Sequence, residues 1–144
     1  MVDVSTTILI QRPLDVVASF AADPDNAPIW YENIKAVEWQ TARPLVVGSR
    51  VAFVAQFLGR RIAYTYHVSD YVPGSFLRMR TAEGPFPMET SYRWEASAGA
   101  ATRMTLRNRG EPSGFGRLAA PLLSLAMRRE NRKDLARLKR HLEA

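Results

Sequence analysis

Residues that could do chemistry are few in this chain, and their types narrow the possibilities. There is no cysteine, which removes a thiol nucleophile, a disulfide framework and a thiolate metal site together. The two histidines, His67 and His141, have no nucleophile or second ligand beside them in the sequence. A metal site needs about three or four suitable ligands, and the carboxylates are scattered, so neither a metal nor another cofactor is expected. Gly114-Phe115-Gly116 is too short for a dinucleotide fingerprint and reads as a hinge. What remains are hydroxyls and amides: Tyr64, Tyr66, Thr90, Tyr92 and Asn108. Such groups can move a proton, or can orient the polar atoms of an otherwise apolar molecule. Glu32 and Glu89 are carboxylates that could act as acid or base at a rim.

Positioning these groups falls mostly to strands. Val2 to Gln11 is rich in β-branched residues, with Val2, Val4, Thr6, Ile8 and Ile10 on one phase. Pro13 then suits the first position of a helix whose stripe is Leu14, Val17, Phe20 and Ala21. Asp23-Pro24 repeats the device as N-cap and first residue of a second short helix ending near Pro28. Strands are predicted over Asn33 to Gln40, over the two arms of a hairpin from Arg50 to Asp70, and over Ser75 to Thr81, Phe86 to Ala96 and Thr102 to Arg109. The first strand makes seven in all, joined mostly by tight turns, which means an antiparallel meander.

If the apolar phase faces inward, the interior holds Phe53, Phe57, Tyr64, Tyr66, Met79 and Met88. On the later strands the same phase adds Thr90, Tyr92, Trp94, Met104 and Asn108, with Trp30, Tyr31 and Phe86 joining from the rim. A lining of aromatics and methionines with a few oriented polar groups suits an apolar small molecule.

Gly114 to Ala144 is the stretch long enough for a helix of many turns. A long helix after a run of strands must bury its apolar stripe on their sheet. Met127, Asn131, Leu135, Leu138 and Leu142, extended back to Leu123, form the stripe expected to do so. Phe115, Leu118, Leu122 and Leu125 lie on nearly the opposite side, and Pro121 marks a kink or a late start. Leu118, Leu122 and Leu125 are therefore expected to cover a cavity mouth or to make a homodimer contact.

The helix also carries most of the net charge of +6. Arg117, Arg128, Arg129, Arg132, Lys133, Arg137, Lys139 and Arg140 outnumber Glu130, Asp134 and Glu143. Opposite charges three and four apart, such as Glu130 and Asp134 beside Lys133 and Arg137, suggest a solvated face. No aromatic interleaves them, so no nucleic-acid partner is expected. The chain of 144 residues, 47% hydrophobic and 24% charged, fits one soluble domain, 1–144. No signal peptide is apparent at the N-terminus, and the longest apolar run, Leu118 to Met127, is far short of the roughly 20 residues of a membrane span. A cytoplasmic protein without stable membrane insertion is expected.

The order of strand, two short helices, six strands and long helix resembles the START-like, Bet v 1-like (SRPBCC) superfamily, which includes polyketide cyclase/dehydrase and lipid-transport-like proteins. The resemblance spans essentially the whole chain. It is carried by Arg12-Pro13-Leu14-Asp15-Val16-Val17, by Asp23 to Trp30, by Tyr66 to Pro73, and by the closing Asp134 to Glu143. It implies an α+β helix-grip fold, a curved antiparallel sheet around the C-terminal helix, with a deep cavity between them. The implied function is binding of a hydrophobic small molecule: a lipid, polyketide or isoprenoid-like compound. Trp30, Phe53, Phe57, Tyr64, Tyr66, Met79, Met88, Thr90, Tyr92, Trp94, Asn108, Leu118 and Leu122 are the candidate contacts. Two alternatives stay open: a cyclase/aromatase-type enzyme using the cavity tyrosines, and a module docking on a partner or membrane through the apolar start of the last helix.

Overall fold

The computed structural model describes residues 1–111 and 120–144. Strand β1 (Val2–Ile10) leads into α1 (Leu14–Ala22), a 3-10 turn at Pro24–Asn26 and the short α2 (Ala27–Trp30). Six strands follow: β2 (Ile34–Trp39), β3 (Arg50–Phe57), β4 (Arg60–Val72), β5 (Phe76–Glu83), β6 (Met88–Ser97) and β7 (Ala101–Gly110). The chain closes with α3 (Ala120–Glu143). The expected α+β architecture is present, with small shifts at the ends of elements. Pro13 sits one position earlier than expected, as N-cap, and its carbonyl takes the Val17 N–H. The second short helical segment runs on to Trp30 rather than stopping near Pro28, because Pro28 falls in its first turn, where a missing N–H costs nothing. Phe86 precedes β6 instead of opening it.

All seven strands form one antiparallel sheet in the order β1-β7-β6-β5-β4-β3-β2. The order follows from the meander, since each tight turn makes sequence neighbours pair, and β1 then closes on β7. Register shifts in β2 and at two points of the β4–β5 pairing bend the sheet, as bulges do. The β3–β4 hairpin turns through Leu58 and Gly59, both at positive φ (52° and 75°). This is the backbone of a two-residue turn that favours Asn-Gly. Leu58 is half exposed and adopts that conformation at a steric cost. Leu58→Asn is therefore expected to raise stability by about 0.5–1 kcal/mol in urea denaturation.

Helix α3 buries the predicted stripe: Leu123, Asn131, Leu135, Leu138 and Leu142 are all enclosed. Leu135, Leu138 and Leu142 share the main core with Ile10, Val17, Trp94, Met104 and Leu106. Leu123 belongs to a second, smaller core with Val2 and Val4, against which Phe57 and Met127 pack. Outward-facing Leu122 and Leu125 are 59% and 67% exposed. Neither is among the residues lining the cavity, so of the two expected places, a cavity mouth or a homodimer contact, the first has no lining residue here to support it; Leu118 lies outside the described residues. Leu122→Ser should change stability by no more than about 0.5 kcal/mol in the same denaturation assay, because no packed neighbour is lost. Among the described residues no helix is long and apolar enough to cross a membrane.

Candidate functional site

Between the two cores the sheet and α3 stay apart, leaving a cavity of about 150 Å³. By the same measure a single water needs roughly 10–15 Å³, so the space would take on the order of ten water-sized spheres. Phe53, Phe57, Tyr64, Tyr66, Met79, Thr90, Tyr92 and Asn108 all line it, each from the inward phase of its strand. A smaller cavity of about 70 Å³ adjoins, sharing Phe57, Asn108 and Met127 and adding Phe86 and Met88.

Other candidates lie elsewhere. Trp30 and Trp94 are 1% and 2% exposed, and neither lines the main cavity. Their rings pack on Tyr92 at 5.7 and 5.9 Å and support the wall from behind. Met88 faces the smaller cavity. Glu89 does not line the main cavity; it borders the smaller one, with its carboxylate 2.9 Å from Arg80 and 3.6 Å from Arg109. Glu32 is exposed, and its backbone N–H, rather than its carboxylate, reaches toward the site. Neither histidine meets the cavity; His141 stacks on Phe20 at 4.9 Å, and His67 pairs across to Arg50 on β3.

Helix α3 contributes what the strands alone do not suggest. Met127, Glu130, Asn131 and Asp134 face the cavity. Their spacing i, i+3, i+4, i+7 is one helical stripe, continued below by Leu135 and Leu138. The solvated-face reading of Glu130 and Asp134 is thereby corrected. Asp134 is only 3% exposed. Charge pairing conceals it, since Lys133 and Arg137 lie beside it in sequence. The stripe is the signal that could expose it, because Asp134 follows the buried Asn131 by three.

Hydrogen bonds tie these side chains into two groups. The Tyr31 and Tyr92 hydroxyls meet at 2.7 Å. A longer chain crosses the sheet to the helix. Tyr66 Oη lies 2.8 Å from Thr90 Oγ1, Thr90 donates to Asn108 Oδ1 at 2.7 Å, and Asn108 Nδ2 donates to Asn131 Oδ1 at 3.1 Å. Thr90 has a single proton and spends it on Asn108, so Tyr66 is the donor in the first link. The chain ends at Asn131 Nδ2, which is buried and has no acceptor among the described residues.

Burial dominates the electrostatics. It pushes the Tyr31, Tyr64 and Tyr92 hydroxyls well up and Tyr66 up to about 12. All four phenols therefore stay protonated and serve as donors, not as resting bases. Asp134 is pushed up to about 7 by burial, with Glu130 and Glu32 adding repulsion. Among the described residues it accepts one hydrogen bond, from Glu32 N at 3.1 Å, and its charge changes near neutral pH.

A model of the family described as polyketide cyclase / dehydrase and lipid transport matches residues 1–143. The chain belongs to that family. No curated protein matches the sequence. Several solved structures share this family member's fold at low identity. A START superfamily protein from Mycobacterium smegmatis is 15% identical, with a TM-score of 0.81 over 98% of this chain and 97% of that one. A protein from Thermus thermophilus is 18% identical, with a TM-score of 0.79 over 97% and 96%. The Zhui aromatase/cyclase from Streptomyces sp. R1128 is 20% identical, with a TM-score of 0.77 over 98% and 93%. At these identities the likeness is one of fold.

Proposed function

We propose that this protein binds a small molecule with an apolar body in the cavity between the sheet and α3. The observation that carries this reading is the cavity itself: aromatic walls and, at its polar end, phenol donors, an Asn131 amide nitrogen with no acceptor among the described residues and the buried Asp134. A site of that composition is suited to holding apolar surface while orienting a few polar atoms. Family membership supports the same reading, and a lipid, polyketide or isoprenoid-like compound is the finer form of it. The neutral dye N-phenyl-1-naphthylamine should gain fluorescence on mixing with the protein and lose it when aliphatic alcohols or polycyclic aromatic ketones compete. A titration with no dye uptake would remove the proposal.

One observation favours a second reading, acid–base chemistry on a bound carbonyl compound. Asp134 changes charge near neutrality in the wall of the cavity, as suits a general acid or base. The tyrosines would then be hydrogen-bond donors to an enolate oxygen, and the carboxyl would move the proton. Turnover of a poly-β-ketone substrate should show a pH limb near 7 that disappears in Asp134→Asn. Turnover with an unchanged limb in that variant would exclude the mechanism.

A further inference from the structure

The charges on the cavity wall run opposite to those of the whole protein. The chain carries a net charge of +6. Yet the charged groups among the described lining residues are Asp23, Glu130 and Asp134, with no lysine or arginine. The basic residues of α3 lie on its exposed side: Arg129, Arg132 and Lys133 are exposed, and Lys133 reaches Glu130 only loosely, at 3.8 Å, while Asn33 donates to the other Glu130 oxygen at 3.1 Å. Arg137, one turn beyond Asp134, directs its guanidinium to the Ile29 carbonyl at 3.3 Å. No ion pair to Asp134 occurs among the described residues. A carboxylate can accept about four hydrogen bonds, and this one has a single donor among the described residues, Glu32 N. A buried acid with one donor is left with most of its acceptor capacity unused.

Two further features mark this end of the cavity as built for a ligand's polar group. Asn131, 5% exposed and one turn from Asp134, keeps an amide nitrogen without an acceptor among the described residues, a donor that would take an acceptor atom of the ligand beside its charged group and not the charge itself. The rings of Tyr31, Tyr64, Tyr92 and Phe53 line the same space, and aromatic faces attract cations. A carboxylate ligand would meet acids and π faces there; an ammonium would meet complementary charge.

We propose that the cavity recognises an apolar amine in its protonated form, the ammonium held by Asp134 in the negative potential of Glu130, and that it discriminates against carboxylates of the same shape. The proposal rests on the reading that the cavity binds a small molecule. The groups facing Asp134 are Glu32 at the end of α2, Glu130 and Arg137 on α3, and the Tyr31 and Tyr92 phenols. An alkylammonium, titrating near 10, keeps its charge throughout the neutral range. Asp134, titrating at about 7, must lose its proton to hold that charge. Amine affinity should therefore rise by about ten-fold between pH 6 and 8, following the ionised fraction of the carboxyl.

The test is calorimetric titration with 4-phenylbutylamine, 4-phenylbutan-1-ol and 4-phenylbutanoate, which share one body. At pH 8 the amine should bind at least about ten-fold tighter than the alcohol, with the carboxylate weakest. The amine-to-alcohol ratio should fall about ten-fold at pH 6 and approach one in Asp134→Asn. Should that variant fail to fold, Glu130→Gln and the pH series on the wild type carry the same test. A carboxylate that binds as tightly as the amine, or a ratio indifferent to both pH and Asp134, overturns the proposal. Alcohol binding without the amine preference removes this inference alone. Failure of all three probes together with the naphthylamine dye removes the ligand reading as well.

Discussion

At pH 8, Asp134→Asn is expected to be more stable than the wild type by roughly 2–4 kcal/mol. The folded protein holds the Asp134 proton up to about pH 7, whereas the ordinary value for an aspartate is 3.8. Between those values the folded state binds more protons than the unfolded state, so this group's contribution to stability falls as pH rises through that window and is flat above it. A shift from 3.8 to about 7 bounds the cost at about 4 kcal/mol, at 1.36 kcal/mol per unit. An asparagine keeps an acceptor for Glu32 N and never charges. The advantage should shrink as pH falls and be nearly gone by about pH 4. Asp3, Asp25 and Glu143 act in the opposite sense. Hydrogen bonds from Arg107, Arg43 and the Gln11 N–H respectively pull them down, so their contributions are lost at low pH. Urea denaturation of both proteins at pH 4.5 and 8 separates the effects, because only the difference between variant and wild type reports on Asp134. A variant less stable than the wild type at pH 8 would contradict the placement of this carboxyl in the interior.

Thr90→Val should cost about 2–4 kcal/mol, although it changes almost no volume. Thr90 is the middle link of the chain from Tyr66 to Asn131, and removing its hydroxyl strands a phenol donor on one side and an amide oxygen on the other. A buried polar group left without a partner costs about 1–3 kcal/mol, and here two are created. Tyr66→Phe should cost less, about 1 kcal/mol, because it removes a donor at the end of the chain and leaves Thr90 bonded to Asn108. The double variant should cost less than the sum of the singles, since the phenol stranded by the first change is absent in the second. Thermal or urea melts at constant pH give all three values. A Thr90→Val protein within about 0.5 kcal/mol of the wild type would mean that the chain does not hold in solution.

Much of this arrangement is legible in the sequence because a strand has a period of two. Alternation places Phe53, Phe57, Tyr64, Tyr66, Met79, Thr90, Tyr92 and Asn108 on one face, and that face lines the cavity. Alternation gives the face but not the height along the strand. Trp94 shares a phase with Tyr92, yet it is fully buried in the main core and does not line the cavity, while Tyr92 borders it. Met88 fails in the other direction, two residues before Thr90 in the smaller cavity. Where the helix crosses the sheet decides which inward residues meet a void, and no local pattern encodes that crossing.

The polar end of the cavity is harder to read for a different reason. Glu130 and Asp134 have basic neighbours at helical spacing, and local pairing is the ordinary explanation of such a pattern. Only the continuity of the stripe from Met127 through Asn131 to Leu138 shows that Asp134 must turn inward. The position of Tyr31 after α2 puts it at the rim; its 2.7 Å contact with Tyr92 depends on the end of α2 meeting β6 in the closed fold. Contacts between residues about sixty apart in sequence come from that closure, not from either segment.

The claim that the cavity is a binding site is tested most directly by titrating N-phenyl-1-naphthylamine into the wild type and into Ala55→Phe, whose added ring would occupy the space beside Phe53 and Tyr64. Saturable uptake of one dye per wild-type chain, weakened at least ten-fold in Ala55→Phe, is the predicted result. Uptake that is absent in the wild type, or equal in the two proteins, would contradict it.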